Sequence, residues 1–202
     1  MAAAALAQRV AAPGKLYTLV FVLDEARGVL LGMKKRGFGV GLWNGFGGKV
    51  EAGESVVAAA ARELSEEAGI AVEERDLTRR AMLRFEWRSE EEKPAAAART
   101  PPFNVSVYTA TRYTGTPVES EEMKPQWFAR DAVPLDEMWE DDQYWLPAML
   151  ASCDDALCVG VFRFASPSGG SEMLSRELEA VGRLPLPPVQ RAVAAGPPPA
   201  AS

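Results

Sequence analysis

The chain reads as an α/β protein, a sandwich of helices around a mixed β-sheet. Two observations predict it. Six short segments of strand character lie between residues 16 and 164, and only two helices interrupt them. The 202 residues, 48% of them hydrophobic, suffice for one ordinary domain with a real core plus extensions, and no internal repeat is visible.

Taken in order, "LYTLVFVL" (16–23) and "GVLLGMK" (28–34) are rich in β-branched and aromatic residues and read as strands. A helix is expected near 55–68, capped by Ser55 and ended by Gly69, with Val56, Ala60, Leu64 and Ala68 forming its buried stripe. The strands "AMLRFEW" (81–87) and "FNVSVYTATRY" (103–113) flank "SEEEKPAAAARTPP" (89–102), a charged and proline-containing stretch that reads as an inserted surface loop. "PQWFAR" (125–130) is a further strand, a second helix is expected near 141–152, and "LCVGVFRF" (157–164) is the last clear strand. "SEMLSRELEA" (171–180) has local helical character. The domain is therefore expected at 15–182, between an alanine-rich extension (1–14) and a Pro/Ala-rich tail (183–202), both expected to be disordered.

Charge and cysteine usage exclude several classes. With 22 Lys+Arg against 28 Asp+Glu the net charge is -6, which argues against a partner that is a nucleic-acid polymer. Cys153 and Cys158 form a lone CX4C pair and there is no histidine, so neither a zinc site, His-based catalysis nor a disulfide framework is expected. No apolar run reaches the length of about 18 residues that a membrane span needs. A reducing, cytoplasmic setting is the default. Arg9 and Lys15, with no acidic residue before Asp24, keep organelle targeting as an alternative, and nuclear presence stays open as well.

The stretch "GGKVEAGESVVAAAARELSEEAGI" (47–70) gathers unusual negative charge. Glu63, Glu66 and Glu67 stand at i, i+3 and i+4, so their carboxylates share one helix face and repel. Such a face is either solvated or a cage for a hard divalent cation, which takes oxygen ligands. Spacing decides for the second. Gly48, Glu54, Arg62, Glu63, Leu64, Glu66, Glu67, Gly69 and Ile70 fill GX5EX7REUXEEXGU (U aliphatic) at every fixed position, a chance match on the order of one in ten million per chain. This is the Nudix box. "LYTLV", "LLGMKKRGFG", "WNGFGGKV", "GTPVESEEMKPQWF" and "MWEDDQYW" extend the resemblance from about Leu16 to Val181, to the oxidised purine nucleoside triphosphatase branch of Nudix hydrolases.

That resemblance implies an αβα sandwich with a strand at 171–180, and hydrolysis of a nucleoside triphosphate to monophosphate and pyrophosphate with Mg²⁺, or with Mn²⁺ in its place. It implies a small-molecule nucleotide as substrate; a monomer is the expectation, which the resemblance does not fix. The implied metal ligands are Glu63, Glu66, Glu67, the carbonyl of Gly47, and Glu122 from a separate loop, with Arg62 as tether for a carboxylate. Glu67 is the first choice for the base and Glu122 its rival. Lys34 would meet phosphate or sugar. Trp139 would stack on the purine, Asn44, Asp141 and Asp142 would bond its edge, and Thr18, Phe38 and Phe85 would line the pocket. Phe46, Gly48 and Lys49 complete the implied substrate contacts; Trp145 is either core or pocket.

Two adjacent aspartates in a dry pocket cannot both ionise easily, so one carboxyl should stay protonated. A protonated carboxyl donates and an ionised one accepts, which would let one pocket pair with oxidised guanine or oxidised adenine. Trp87 and Phe103 fall where the family usually has phenylalanine and methionine, and could narrow that pocket. Two other classes stay open: a Nudix hydrolase of another nucleoside diphosphate-linked substrate, and a catalytically silent binding protein, although no box glutamate is lost.

Overall fold

A computed structural model of the chain describes residues 2–87, 100–151, 157–167 and 172–181. The expected tail, Cys153 and residues 89–99 of the expected insert lie outside them. The elements are α1 (Ala2–Val10), β1 (Lys15–Asp24), β2 (Gly28–Lys34), β3 (Trp43–Asn44), α2 (Val56–Ala68), β4 (Leu77–Trp87), β5 (Phe103–Ala110), β6 (Met123–Phe128), α3 (Asp142–Ala151), β7 (Leu157–Phe164) and β8 (Met173–Val181). The strands form one sheet in the order β3-β2-β1-β5-β4-β7-β8, with β6 also paired to β2. β1 with β5 and β4 with β7 are parallel while the other pairs are antiparallel, so the sheet is mixed, as the sequence predicts.

Successive side chains of a strand point to opposite faces, and this alternation divides the core. One face carries Val20, Val22, Leu30, Phe46 and Tyr108 under the apolar stripe of α2. The other carries Phe21, Leu31, Leu83, Val107 and Phe162 under α3, whose Trp145, Leu146 and Met149 are buried there. The α2 boundaries have the expected chemistry: the Ser55 hydroxyl accepts the Ala58 N–H at 3.1 Å, and Gly69 ends the helix in the left-handed region at φ 67°.

The structure corrects the expectation of a disordered extension at 1–14. Residues 2–10 form α1, and Leu6 and Val10 are buried against Leu157, Val159 and Val161 of β7. Two apolar residues four positions apart make too short a stripe to be read from sequence, yet they suffice when a strand from the far end of the chain offers a matching apolar face. Residues 171–180, helical by local propensity, are mostly strand: β8 pairs antiparallel with β7 from Leu157↔Val181 onward, and ladder pairing outweighs propensity there.

Candidate active site

The turn after β3 and the helix α2 build the acidic part of the site. Glu63, Glu66 and Glu67 share a face of α2 but not an environment. Glu67 is buried at 4% exposure, whereas Glu66 is exposed. The Gly47 N–H donates to Glu67 Oε2 at 2.8 Å, and Lys34 Nζ lies 3.5 Å from Glu67 and 3.7 Å from Glu122. Burial pushes the Glu67 carboxyl up to about 7, against the pull of the Gly47 hydrogen bond and the Lys34 charge. Burial also raises Glu63, although Arg62 opposes it.

Arg62 is the hub of this helix face. Its guanidinium reaches Glu54 at 2.8 Å, Glu63 at 3.0 Å, Glu66 at 3.1 Å and the Lys49 carbonyl at 3.3 Å. Glu122 comes from the loop before β6 and pairs with Arg36. That loop is fixed by Lys35, whose Nζ donates to Ser120 O at 2.6 Å and whose backbone N–H donates to Glu122 O at 2.8 Å.

A hard cation fits these residues. The donors are all oxygens, and the backbone approaches them as only glycine permits. A Cβ on Gly48 would lie 2.5 Å from Glu63 Oε1, and one on Gly47 would lie 2.1 Å from Thr18 O. As the side chains stand, Arg62, Lys34 and Arg36 hold the carboxylates, and among the described residues no group of three acidic side chains converges as a ready cage.

A cleft of about 1130 Å³ opens beside the acidic cluster. Lys34, Gly47, Gly48 and Glu122 line its acidic end, while Thr18, Phe38, Asn44, Phe85, Trp139, Asp141 and Asp142 line the rest. Phe38 stacks on Trp139 with ring centroids 4.7 Å apart and planes at 24°. The sequence reading missed Tyr17, Leu83, Arg36 and Phe164, which also line it. Leu83 was accessible from period-two alternation, since it sits two residues before Phe85 on β4.

Asp141, just before α3, and Asp142, its first residue, are 4% and 2% exposed. Asp141 Oδ2 accepts the Trp145 indole N–H at 3.0 Å, and Asp142 Oδ2 accepts the Trp139 N–H at 3.1 Å. Burial raises Asp141 to about 6, the Trp145 bond opposing it. Burial and the neighbouring Asp141 charge raise Asp142 well above the ordinary carboxylate range. Trp145 itself is 1% exposed and edge-on to Phe21 at 5.9 Å, so it is a core residue that also borders the cleft and orients Asp141.

Two residues assigned to substrate do not reach the cleft wall. Phe46 is fully buried under α2, and both its backbone groups bond Val20, at 2.9 Å and 2.6 Å. A strand-like bridge to β1 turns its ring inward. Lys49 is exposed beside Arg62 and is bridged to Tyr17.

Residues 15–149 match the family model of the NUDIX domain. The chain belongs to the NUDIX family. An oxidized purine nucleoside triphosphate hydrolase of Mus musculus is 48% identical to it over 136 residues, 67% of this chain and 80% of the relative. The protein of the same description from Danio rerio is 48% identical over 150 residues, 74% of this chain and 86% of the relative. Among solved structures, the mutator MutT protein from Bacillus halodurans superposes with a TM-score of 0.66 at 29% identity, covering 82% of this chain and 97% of that one. NUDIX hydrolases generally use a divalent metal, and the α2 carboxylates lie within the matched region. The helix α1 lies outside it.

Proposed function

We propose that the chain hydrolyses oxidised purine nucleoside triphosphates, 8-oxo-dGTP and 2-hydroxy-dATP among them, to the monophosphate and pyrophosphate, and so clears damaged nucleotides from the precursor pool. One observation carries this reading. A single cleft runs from two buried aspartates and a tryptophan to the glycine turn and Glu122 beside the acidic helix, so a purine and its phosphates can be held together. The two 48% identical relatives bear the same description.

Glu63, Glu66, Glu67, Glu122 and the Gly47 carbonyl are the residues that would hold Mg²⁺, or Mn²⁺ in its place. When bound, the cation supplies charge neutralisation at the phosphates and an acidified water. The chain's own groups do the rest. Lys34, on the cleft wall, meets phosphate oxygens. Glu67, fixed by the Gly47 N–H, takes the proton of the attacking water, with Glu122 as the rival base. Arg62 orients the carboxylates of Glu63 and Glu66. Trp139 and Phe38 offer aromatic faces to the base, while Asp141, Asp142 and Asn44 read its edge.

Pyrophosphate release from normal and oxidised nucleoside triphosphates, with Mg²⁺ or Mn²⁺, tests the reading. Oxidised purines should lead in kcat/KM. Equal turnover of all triphosphates, or preference for a dinucleotide or capped RNA, would overturn it. Gel filtration and cell fractionation test the monomeric state and cytoplasmic location that belong to the same reading.

A further inference from the structure

We infer that Arg84 and Asn104 are positioning residues for the base pocket, clamping the segment before β1 behind the aromatic side chains of β4 and β5. This rests on the proposed purine-binding role of the cleft. The two strands carry alternating faces. Phe85 and Phe103 are register partners and line the cleft, and Arg84 and Asn104 are the adjacent register pair, turned to the reverse face. Both reverse-face residues are 8% exposed.

Their hydrogen bonds converge on two backbone carbonyls. Arg84 Nη1 donates to Asn104 Oδ1 at 2.9 Å, to Ala12 O at 3.0 Å and to Pro13 O at 3.3 Å, while Asn104 Nδ2 donates to Ala12 O at 2.7 Å. Arg84 Nε reaches Glu86 at 2.8 Å, and Glu86 also receives Arg163 at 3.1 Å and Arg9 of α1 at 3.4 Å. A buried guanidinium is tolerated only when paired in this way. The segment is held tightly: Lys15 N–H donates to Pro102 O at 2.8 Å, and a Cβ on Gly14 would lie 2.8 Å from the same oxygen.

The location gives the clamp its consequence. Phe85 and Phe103 meet at the end of the β4–β5 ladder, next to the pair Arg84 and Asn104 that holds the segment before β1. The clamp sits at that end, and the carbonyls it holds, Ala12 O and Pro13 O, precede the matched family region. The α2 carboxylates are supported elsewhere, over β1 and β6. Loosening the clamp should therefore disturb how the base fits and leave phosphate chemistry intact.

The test compares the full chain with Arg84→Lys, Asn104→Ala and a deletion of residues 2–13, which exposes Arg84 to water and so strands no charge. Steady-state kinetics with 8-oxo-dGTP and dGTP are read beside hydrogen exchange over 83–87 and 103–105. Expected are a rise of about 5- to 30-fold in KM for the oxidised nucleotide, kcat within about twofold, a reduced preference over dGTP and faster exchange on both strands. Should the deletion fail to fold, the two point variants carry the same comparison. Unchanged KM and preference in folded variants, whatever their melting temperature, would overturn the inference alone. A parent chain inactive on both nucleotides would overturn the proposed function and this inference with it.

Discussion

The Gly47 N–H donates a 2.8 Å hydrogen bond to Glu67, joining the glycine turn to a residue of α2 twenty positions further on. The bond explains why Glu67, alone of the three α2 glutamates on that face, is buried. It also separates Glu67 from a merely solvated acidic face, where a carboxylate would keep its water.

Glu67→Gln keeps an acceptor for the Gly47 N–H but removes the charge and the proton acceptor. Turnover should fall at least 10²-fold. The melting temperature should not fall, because an amide costs less to bury than a carboxylate. Stopped-flow or steady-state kinetics beside calorimetry check both; near-normal turnover would transfer the base assignment to Glu122.

Gly47→Ala and Gly48→Ala should fail in different ways. At Gly47 the added methyl meets backbone, Thr18 O at 2.1 Å, so the protein should lose roughly 1–3 kcal/mol of stability. At Gly48 it meets the Glu63 carboxylate at 2.5 Å, a side chain that can swing away. That variant should stay folded and bind Mn²⁺ at least several-fold more weakly by isothermal titration. Equal melting temperatures for the two variants would contradict this division.

Trp139→Ala should raise KM for the oxidised nucleotide about 5- to 150-fold, matching the roughly 1–3 kcal/mol that base stacking contributes. Trp139→Phe should recover part of it. A change in kcat with KM untouched would place Trp139 outside the base pocket.

Much of this architecture was legible because the relevant signals are local. The α2 caps, its apolar stripe and the carboxylate spacing depend on neighbours within two turns, and Ser55, Gly69 and Leu64 stand where that spacing put them. The signals that stayed hidden depend on distant partners. Leu6 and Val10 look like part of an alanine-rich tail until β7 supplies a face for them. Arg84 looks like an ordinary strand residue until Asn104 and Ala12 O surround it. Trp43–Asn44 is too short to show any period, and Phe46 could not be told from its pocket-lining neighbours without its bridge to Val20. The site was legible by residue type, and its partition between cleft wall and core was not.

The aspartate pair gives the most specific test. Asn cannot ionise, so Asp141→Asn and Asp142→Asn each fix one position as a neutral group with both donor and acceptor. Burial raises Asp141 to about 6, and burial with the neighbouring charge raises Asp142 well above the ordinary carboxylate range, so the two carboxyls resist ionising together. The two substitutions should therefore weaken 8-oxo-dGTP and 2-hydroxy-dATP by different factors within about 5- to 150-fold, since each removes a different bonding pattern at the purine edge. Stability should respond as well. A carboxyl whose folded pKa is raised contributes stability that is complete below its unfolded value of about 3.9 and lost as pH rises through the folded value. Raising the pH from 5 to 8 should consequently cost the parent chain stability that Asp141→Asn does not lose, so the melting-temperature difference between them should move in favour of the variant across that range. The measurements are kcat/KM for both nucleotides from pH 5 to 9 and calorimetry at pH 5 and 8. Equal losses for both substrates with superimposable pH profiles would mean that the pair does not read the base, and a melting-temperature difference independent of pH would mean that Asp141 is already ionised at pH 5.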